Sequence, residues 1–324
     1  MIRLLLSLVL LVATTVSASA TAESAQEVTN KTAEVYIGVY ANQLLGMSIK
    51  DNNFDIDYYL WLRWKGSDIT PNKSIELLNG RQSCQIIAEE KKGEWSYVTF
   101  RCISKVTKFW DLSRFPLDNQ RLELVFEDNN NDIEALKYVA DEPNSNISAG
   151  FNVSGWKIDK MQTVTTVGQY TSNFGDPTLP DKYTSQYSRF TYRIHLARSF
   201  TDAGYAFKLF FPVFVAMLIS LLQYFVPIDA SLRFNLAVGS IFASVGASYA
   251  ITNSLPQSSY MSMAELINLL TFVAILICLC GSVYSLHLFK KADDLSVSKR
   301  FDRRFVSFAT GLYIVAMVLI VKFK

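Results

Sequence analysis

Histidine is scarce in this sequence: His195 and His287 are the only two, which excludes a histidine-rich metal site. No nucleophile, base and orienting group stand together as a catalytic set, so the expectation is a protein that is not an enzyme and needs no cofactor. An excess of charge of one sign is also lacking, since 31 Lys and Arg face 29 Asp and Glu, and this argues against a nucleic-acid surface. Cysteine is confined to two pairs, Cys84 with Cys102 and Cys278 with Cys280. The second pair lies inside an apolar block, so only the first would meet an oxidising compartment.

What is abundant is apolar sequence, unevenly distributed. Met1 to Ala20 carries a basic Arg3, an apolar run from Leu4 to Val12 and small residues before Thr21, the pattern of a cleaved signal peptide. Residues 21–199 mix charges, amides and aromatics. Residues 200–324 hold four apolar stretches, at about 205–226, 230–252, 263–288 and 305–321, each near the roughly 20 residues that span a bilayer. Short connections make them antiparallel, so the N-terminal half and the C-terminus share one side. Lys290, Lys291, Lys299, Arg300, Arg303 and Arg304 fall between the third and fourth stretches, which predicts a short cytoplasmic loop there. The second stretch is unlike the others, because Asn235, Gly239, Ser240, Ser244, Gly246, Ser248 and Thr252 sit at depths where lipid penalises polar groups. Either water or close helix packing through small residues would accommodate them.

The exported half reads as short strands. In FDIDYYLWLRW, Phe54, Ile56, Tyr58, Leu60, Leu62 and Trp64 alternate with Asp55, Asp57, Tyr59, Trp61 and Arg63, one face packing and the other meeting something polar. Further runs at 35–40, 84–87, 95–103, 121–126 and 187–197 predict an antiparallel β-sandwich. Counting outward from Gly93 in EEKKGE brings Cys84 opposite Cys102, where a cross-strand disulfide competes with two buried thiols.

Phe115-Pro116-Leu117-Asp118 between two strands, RIHLAR ending at Arg198, Pro212 and ITNSLP ending at Pro256 occur in an order that resembles the pentameric ligand-gated ion channels, the Cys-loop receptor-like family, bacterial branch. The disulfide that closes the FPxD loop in many relatives is missing, since the matching positions are Lys108 and Leu122; bacterial members share that lack. The resemblance implies five identical subunits in a bacterial inner membrane, among membrane lipids, with the N-terminal domain and the C-terminus periplasmic. Agonist sites between neighbouring β domains would open a pore lined by the second span and conducting inorganic ions. Asp51, Pro116, Asp118, Arg198, Pro256 and Tyr260 fall at the positions that couple the two halves.

The implied agonist site takes Tyr59, Trp61 and Arg63 from one subunit and Asn129, Tyr170, Phe174 and Tyr183 from its neighbour. Aromatic faces there suit a cationic amine, whereas Asn129 stands where amine-binding relatives often carry an aromatic. Carboxylates titrated by protons are a second trigger, and a non-conducting membrane-anchored sensor is an alternative outside the channel class. Two faces of the second span compete for the pore. Ser240, Ser244 and Ser248 form one; alignment with the family favours the other, Asn235, Gly239, Phe242, Gly246, Tyr249 and Asn253. Asp229 and Arg233 are expected at the cytoplasmic mouth, and Ser231-Leu232 replaces the Pro-Ala of anion-selective relatives, which predicts a weak to moderate cation preference.

Overall fold

A computed structural model of the chain describes residues 32–66, 69–180, 182–198, 203–228, 231–256 and 260–323. The signal peptide expected over residues 1–20, the junction at 199–202 and Asp229 lie outside the described residues.

Among the described residues, ten strands form the N-terminal part. In chain order they are β1 (Ala33–Ser48), β2 (Asn53–Lys65), β3 (Ile75–Leu77), β4 (Gly80–Lys92), β5 (Trp95–Thr107), β6 (Asn119–Asp128), β7 (Leu136–Ala140), β8 (Asn146–Ile147), β9 (Trp156–Thr171) and β10 (Thr184–Arg198), with a single helical turn, α1 (Pro71–Ser74), before β3. One sheet runs β4-β5-β2-β1-β7, with β8 also on β1, and the other β3-β6-β10-β9. Pairing is antiparallel except that β7 and β8 run parallel to β1, which corrects the purely antiparallel expectation. The two sheets enclose one apolar core. Phe54, Ile56, Tyr58, Leu60 and Leu62 of β2 meet Leu122, Leu124 and Phe126 of β6 and Phe190, Tyr192 and Ile194 of β10 in it, all essentially without solvent contact. Strict alternation in β2 and β5 produces this, because a strand turns every second side chain to the same face.

Cys84 and Cys102 are disulfide-bonded between β4 and β5, with their Cα atoms 4.1 Å apart. Their register arises differently from a count centred on Gly93. Lys92 pairs with Trp95 across a two-residue turn, which by itself would set Cys84 one residue out of step, and an irregularity between Ile86 and Ala88 restores the match.

Among the described residues four helices follow: α2 (Ala203–Leu222, extended by a 3-10 turn to Phe225), α3 (Ser231–Asn253), α4 (Met263–Ala292) and α5 (Leu295–Phe323). All four are long and apolar enough to cross a membrane, so the chain is a multi-pass membrane protein with an extramembrane β domain. The expected loop between the last two spans does not exist as a loop. Asp293 takes a left-handed conformation with its N–H donated to the Phe289 carbonyl, and Asp294 accepts from the Ser296 N–H as an N-cap, so two residues connect α4 to α5. Lys290, Lys291, Lys299, Arg300, Arg303 and Arg304 are therefore helical, and the fourth helix starts ten residues before its apolar stretch. Apolar runs mark the part of a helix in lipid, whereas backbone hydrogen bonding carries the helix on through polar sequence.

On the outer face of the first sheet Asp57 is 1% exposed, although it belongs to the polar set of its strand. Arg101 donates to it through Nε (3.3 Å) and Nη2 (2.9 Å), and Asn42 through Nδ2 (2.8 Å). These bonds, Arg101 foremost, hold the Asp57 carboxyl below the usual carboxylate range against the opposing effect of burial. A depressed folded-state pKa stabilises the fold above the unfolded value, about 3.9, and that contribution is lost as pH falls through the folded value. Arg101→Met is expected to destabilise the protein at neutral pH, by less than breaking a fully buried pair would because the arginine is half exposed. Thermal unfolding at pH 7 and pH 3 checks this, with the gap between variant and wild type narrowing in acid.

Candidate functional site

The FPLD segment and the start of α4 are built into each other. Ser262 caps α4 in a capping box: Glu265 N–H donates to Ser262 Oγ, and the Glu265 carboxylate accepts from the Ser262 N–H. A helix start leaves further N–H groups without an internal acceptor. Here Met263 N–H donates to the Ser113 carbonyl at 3.0 Å and Ala264 N–H to the Phe115 carbonyl at 3.1 Å. Tyr260, just before the cap, bonds the same segment, its hydroxyl accepting from the Leu112 N–H (3.1 Å) and donating to the Trp110 carbonyl (3.3 Å). Four hydrogen bonds thus tie the loop after β5 to the chain entering α4.

The base of the same loop is charged. Arg198, at the end of β10, donates from Nε to Asp118 at 3.2 Å, and Gln120 donates to the other carboxylate oxygen at 2.6 Å. Asp118 is buried and Arg198 largely so. The guanidinium lies 4.0 Å from the centroid of Trp156, with Tyr205 of α2 and Phe115 at 5.5 and 5.7 Å. Phe115 and Tyr205 also meet edge to face, and Pro116 between them in sequence is buried. Pro116, Asp118, Arg198 and Tyr260 therefore converge at one junction, which Trp156 and Gln120 join unforeseen by the sequence reading. Asp51 differs, since its carboxylate accepts from Ser48 within its own turn and is exposed. Pro256 is half-buried just beyond α3.

The implied agonist residues form two separate groups. On β2, Trp61 is not a free polar-face aromatic: its ring covers Gly38, where a Cβ would collide with the indole, and its N–H donates to Asp141 at 3.0 Å. Arg63 sits over Tyr36 (5.0 Å) and Trp95 (5.4 Å), so the chain's own cation already occupies that aromatic cage. These rings, with Lys92 and Tyr97, border an open cavity of about 570 Å³. Arg101 lies over Tyr59. In the second sheet, Tyr170 meets Phe174 and Tyr187 edge to face and donates to Glu127, which Arg189 also bonds. Burial pushes the Tyr170 hydroxyl's pKa upward, and the Glu127 carboxylate adds to the effect. Asn129, Phe174 and Tyr183 are exposed. Among the described residues no hydrogen bond or ring contact joins the two groups within one chain.

On α3, Asn235, Gly239, Phe242, Gly246, Tyr249 and Asn253 all lie on the face turned away from the other helices, with Phe242 and Tyr249 71% and 73% exposed. Ser240 and Ser244 are wholly buried, and Ser240 donates to the Ala237 carbonyl. Arg233, expected at the cytoplasmic mouth, is paired inside the bundle of its own chain. It is 1% exposed and makes a bidentate ion pair with Asp302 of α5 (2.9 and 3.0 Å) while donating to Ser282 of α4 at 3.0 Å. A guanidinium so deep in an apolar bundle needs a carboxylate and a hydroxyl in place of water.

The sequence matches no model of a known protein family, and no curated protein matches it. A two-sheet β domain followed by four long apolar helices is consistent with the architecture that the motif order implies.

Removing one partner of a buried pair strands the other, which typically costs 3–5 kcal/mol. Asp118→Asn is accordingly expected to destabilise the protein by about 3 kcal/mol, and Arg198→Lys to cost about as much because an ammonium cannot reproduce the planar stack on Trp156. Thermal unfolding in detergent monitored by tryptophan fluorescence checks both.

Proposed function

We propose that the chain is one subunit of a pentameric ligand-gated ion channel, in which binding to the β domains changes the FPLD junction and the junction moves the helices around a central pore. The observation that carries this reading is the hydrogen-bonded seating of the 110–115 loop on the start of α4, because it lets a displacement of the β domain reach the helices directly. A second support is the outward stripe on α3, whose amides, glycines and aromatic rings suit water and a neighbouring copy better than lipid alone.

In this reading five copies of Phe242 and of Tyr249 form two aromatic rings around the axis, with Gly246 leaving a wider gap between them. Narrow apolar rings close a pore by excluding water. The agonist site lies between subunits, which explains why its two groups of residues are apart in one chain. Agonist opens the pore only to the extent that it binds the open arrangement more tightly. With Arg63 already filling the Tyr36–Trp95 cage, an amine gains little at that spot. The basic ends of α4 and α5 face the cytoplasm, and the β domain faces the periplasm. Cations are preferred, weakly to moderately.

Purified protein reconstituted in a planar bilayer and exposed to a panel of small amines and acids and to a pH series gives unitary currents under this account. A non-conducting sensor gives none. Phe242→Ala is expected to raise the resting open probability about tenfold, the effect of removing roughly 1.4 kcal/mol from the closed state, whereas Ser244→Ala leaves conductance unchanged. Equal resting activity in both variants contradicts the proposed gate.

A further inference from the structure

Charge is almost absent from α3. Between Ser231 and Asn253 the only Lys, Arg, Asp or Glu is Arg233, so the outward stripe carries no charged side chain of its own to choose between cations and anions. Arg233 stands two residues before Asn235, about 160° around the helix from that stripe. It also lies in the first turn, where the helix N-terminus already acts as roughly half a positive charge and a further cation is unfavourable. One carboxylate meets this excess. Asp302 of α5 accepts from both terminal nitrogens of the guanidinium, at 2.9 and 3.0 Å, while Ser282 of α4 accepts from Nε at 3.0 Å.

The surroundings hold the pair closed. Ser282 donates to Gln223 at 3.0 Å, and Gln223 donates in turn to the Ser220 carbonyl at 2.6 Å. Tyr224 lies against the guanidinium, 4.9 Å from ring centroid to carbon, and Phe305 packs on Tyr224 at 5.4 Å. Gly281 makes room for both rings, since a Cβ there would overlap Phe305 and the Tyr224 hydroxyl. Arg233 is thus kept on the far side of α3 from the stripe, and Asp302 balances its charge in place of water.

We propose that Asp302 is a positioning residue for ion selection: by holding and neutralising Arg233 inside each subunit, it keeps five guanidinium charges from acting on the foot of the pore. This inference rests on the channel reading above. A helix is only about 10–12 Å across, so an unbalanced charge on its far side still acts on an ion at the axis, and a ring of arginines favours anions. With Asp302 in place the pore keeps its cation preference although α3 begins with an arginine.

The test is the reversal potential of the full-length protein in a planar bilayer under a potassium chloride gradient. Asp302→Asn keeps the side-chain shape and removes the charge, and five screened charges are then expected to lower the potassium-to-chloride permeability ratio about tenfold. Arg233→Gln leaves the carboxylate unbalanced and is expected to raise the ratio, so it carries the test should Asp302→Asn fail to assemble. The neutral double variant Arg233→Gln/Asp302→Asn and the conservative Asp302→Glu are expected to stay within about twofold of wild type. A pair that only stabilises the bundle would lower thermal stability in the single variants and leave the ratio unchanged, and that result overturns the proposal. Movement of the ratio in the same direction in both single variants overturns it too. Either result leaves the channel reading standing, whereas a lack of unitary current from wild type removes that reading and this inference with it.

Discussion

The start of α4 cannot satisfy its own backbone. Its first N–H groups point out of the helix with no internal acceptor, and leaving each unpaired in a buried setting costs about 1–3 kcal/mol. The protein meets this need with carbonyls from the β domain, Ser113 and Phe115, as well as with its own capping box. The loop can therefore shift relative to α4 only by breaking those bonds or by carrying the helix with it. Tyr260, bonded to both Trp110 and Leu112, extends the same constraint toward the segment that leaves α3.

Two buried arginines fix the ends of this arrangement. Near the β domain, Arg198 links the last strand to the FPLD loop and stacks on Trp156, with Tyr205 of α2 on its other flank. At the opposite end of the bundle, Arg233 binds α3 to α5 through Asp302 and to α4 through Ser282, whose hydroxyl in turn donates to Gln223 beyond α2. All four helices meet at that second network. Buried ion pairs of this kind add little net stability over apolar packing but penalise any arrangement that separates them. Between the two anchors, α3 keeps one serine face packed and one face open.

Much of the β domain was legible because its central strands are buried on one side. Alternation in β2 and β5 follows directly from that one-sided burial, and Phe54 to Trp64 were assigned to the correct face. β9 was not legible. It is an edge strand with few buried residues, so WKIDKMQTVTTVGQYT carries no periodic apolar signal. β7 and β8 were missed for the related reason that they are short. In the bundle, hydropathy located the spans but not the helix ends, since the polar start of α5 is helical without being apolar. Arg233 shows the limit of reading one position at a time. An arginine beside an apolar stretch suggests a pore mouth, and only its pairing with Asp302, 69 residues later, reveals a buried staple. The two halves of the implied agonist site lie on different sheets, and in the proposed pentamer the surfaces concerned would face each other between copies.

The claim on which the whole account turns is that the open stripe of α3 surrounds water in the assembled protein. A cysteine scan of positions 235–253, with Cys278 and Cys280 replaced and the disulfide left intact, measures this directly as current block by a water-soluble thiol reagent. The account predicts that positions 242, 246 and 249 react and block while 240, 244 and 248 stay silent. Block confined to 240, 244 and 248 would rotate the pore onto the serine face and contradict it.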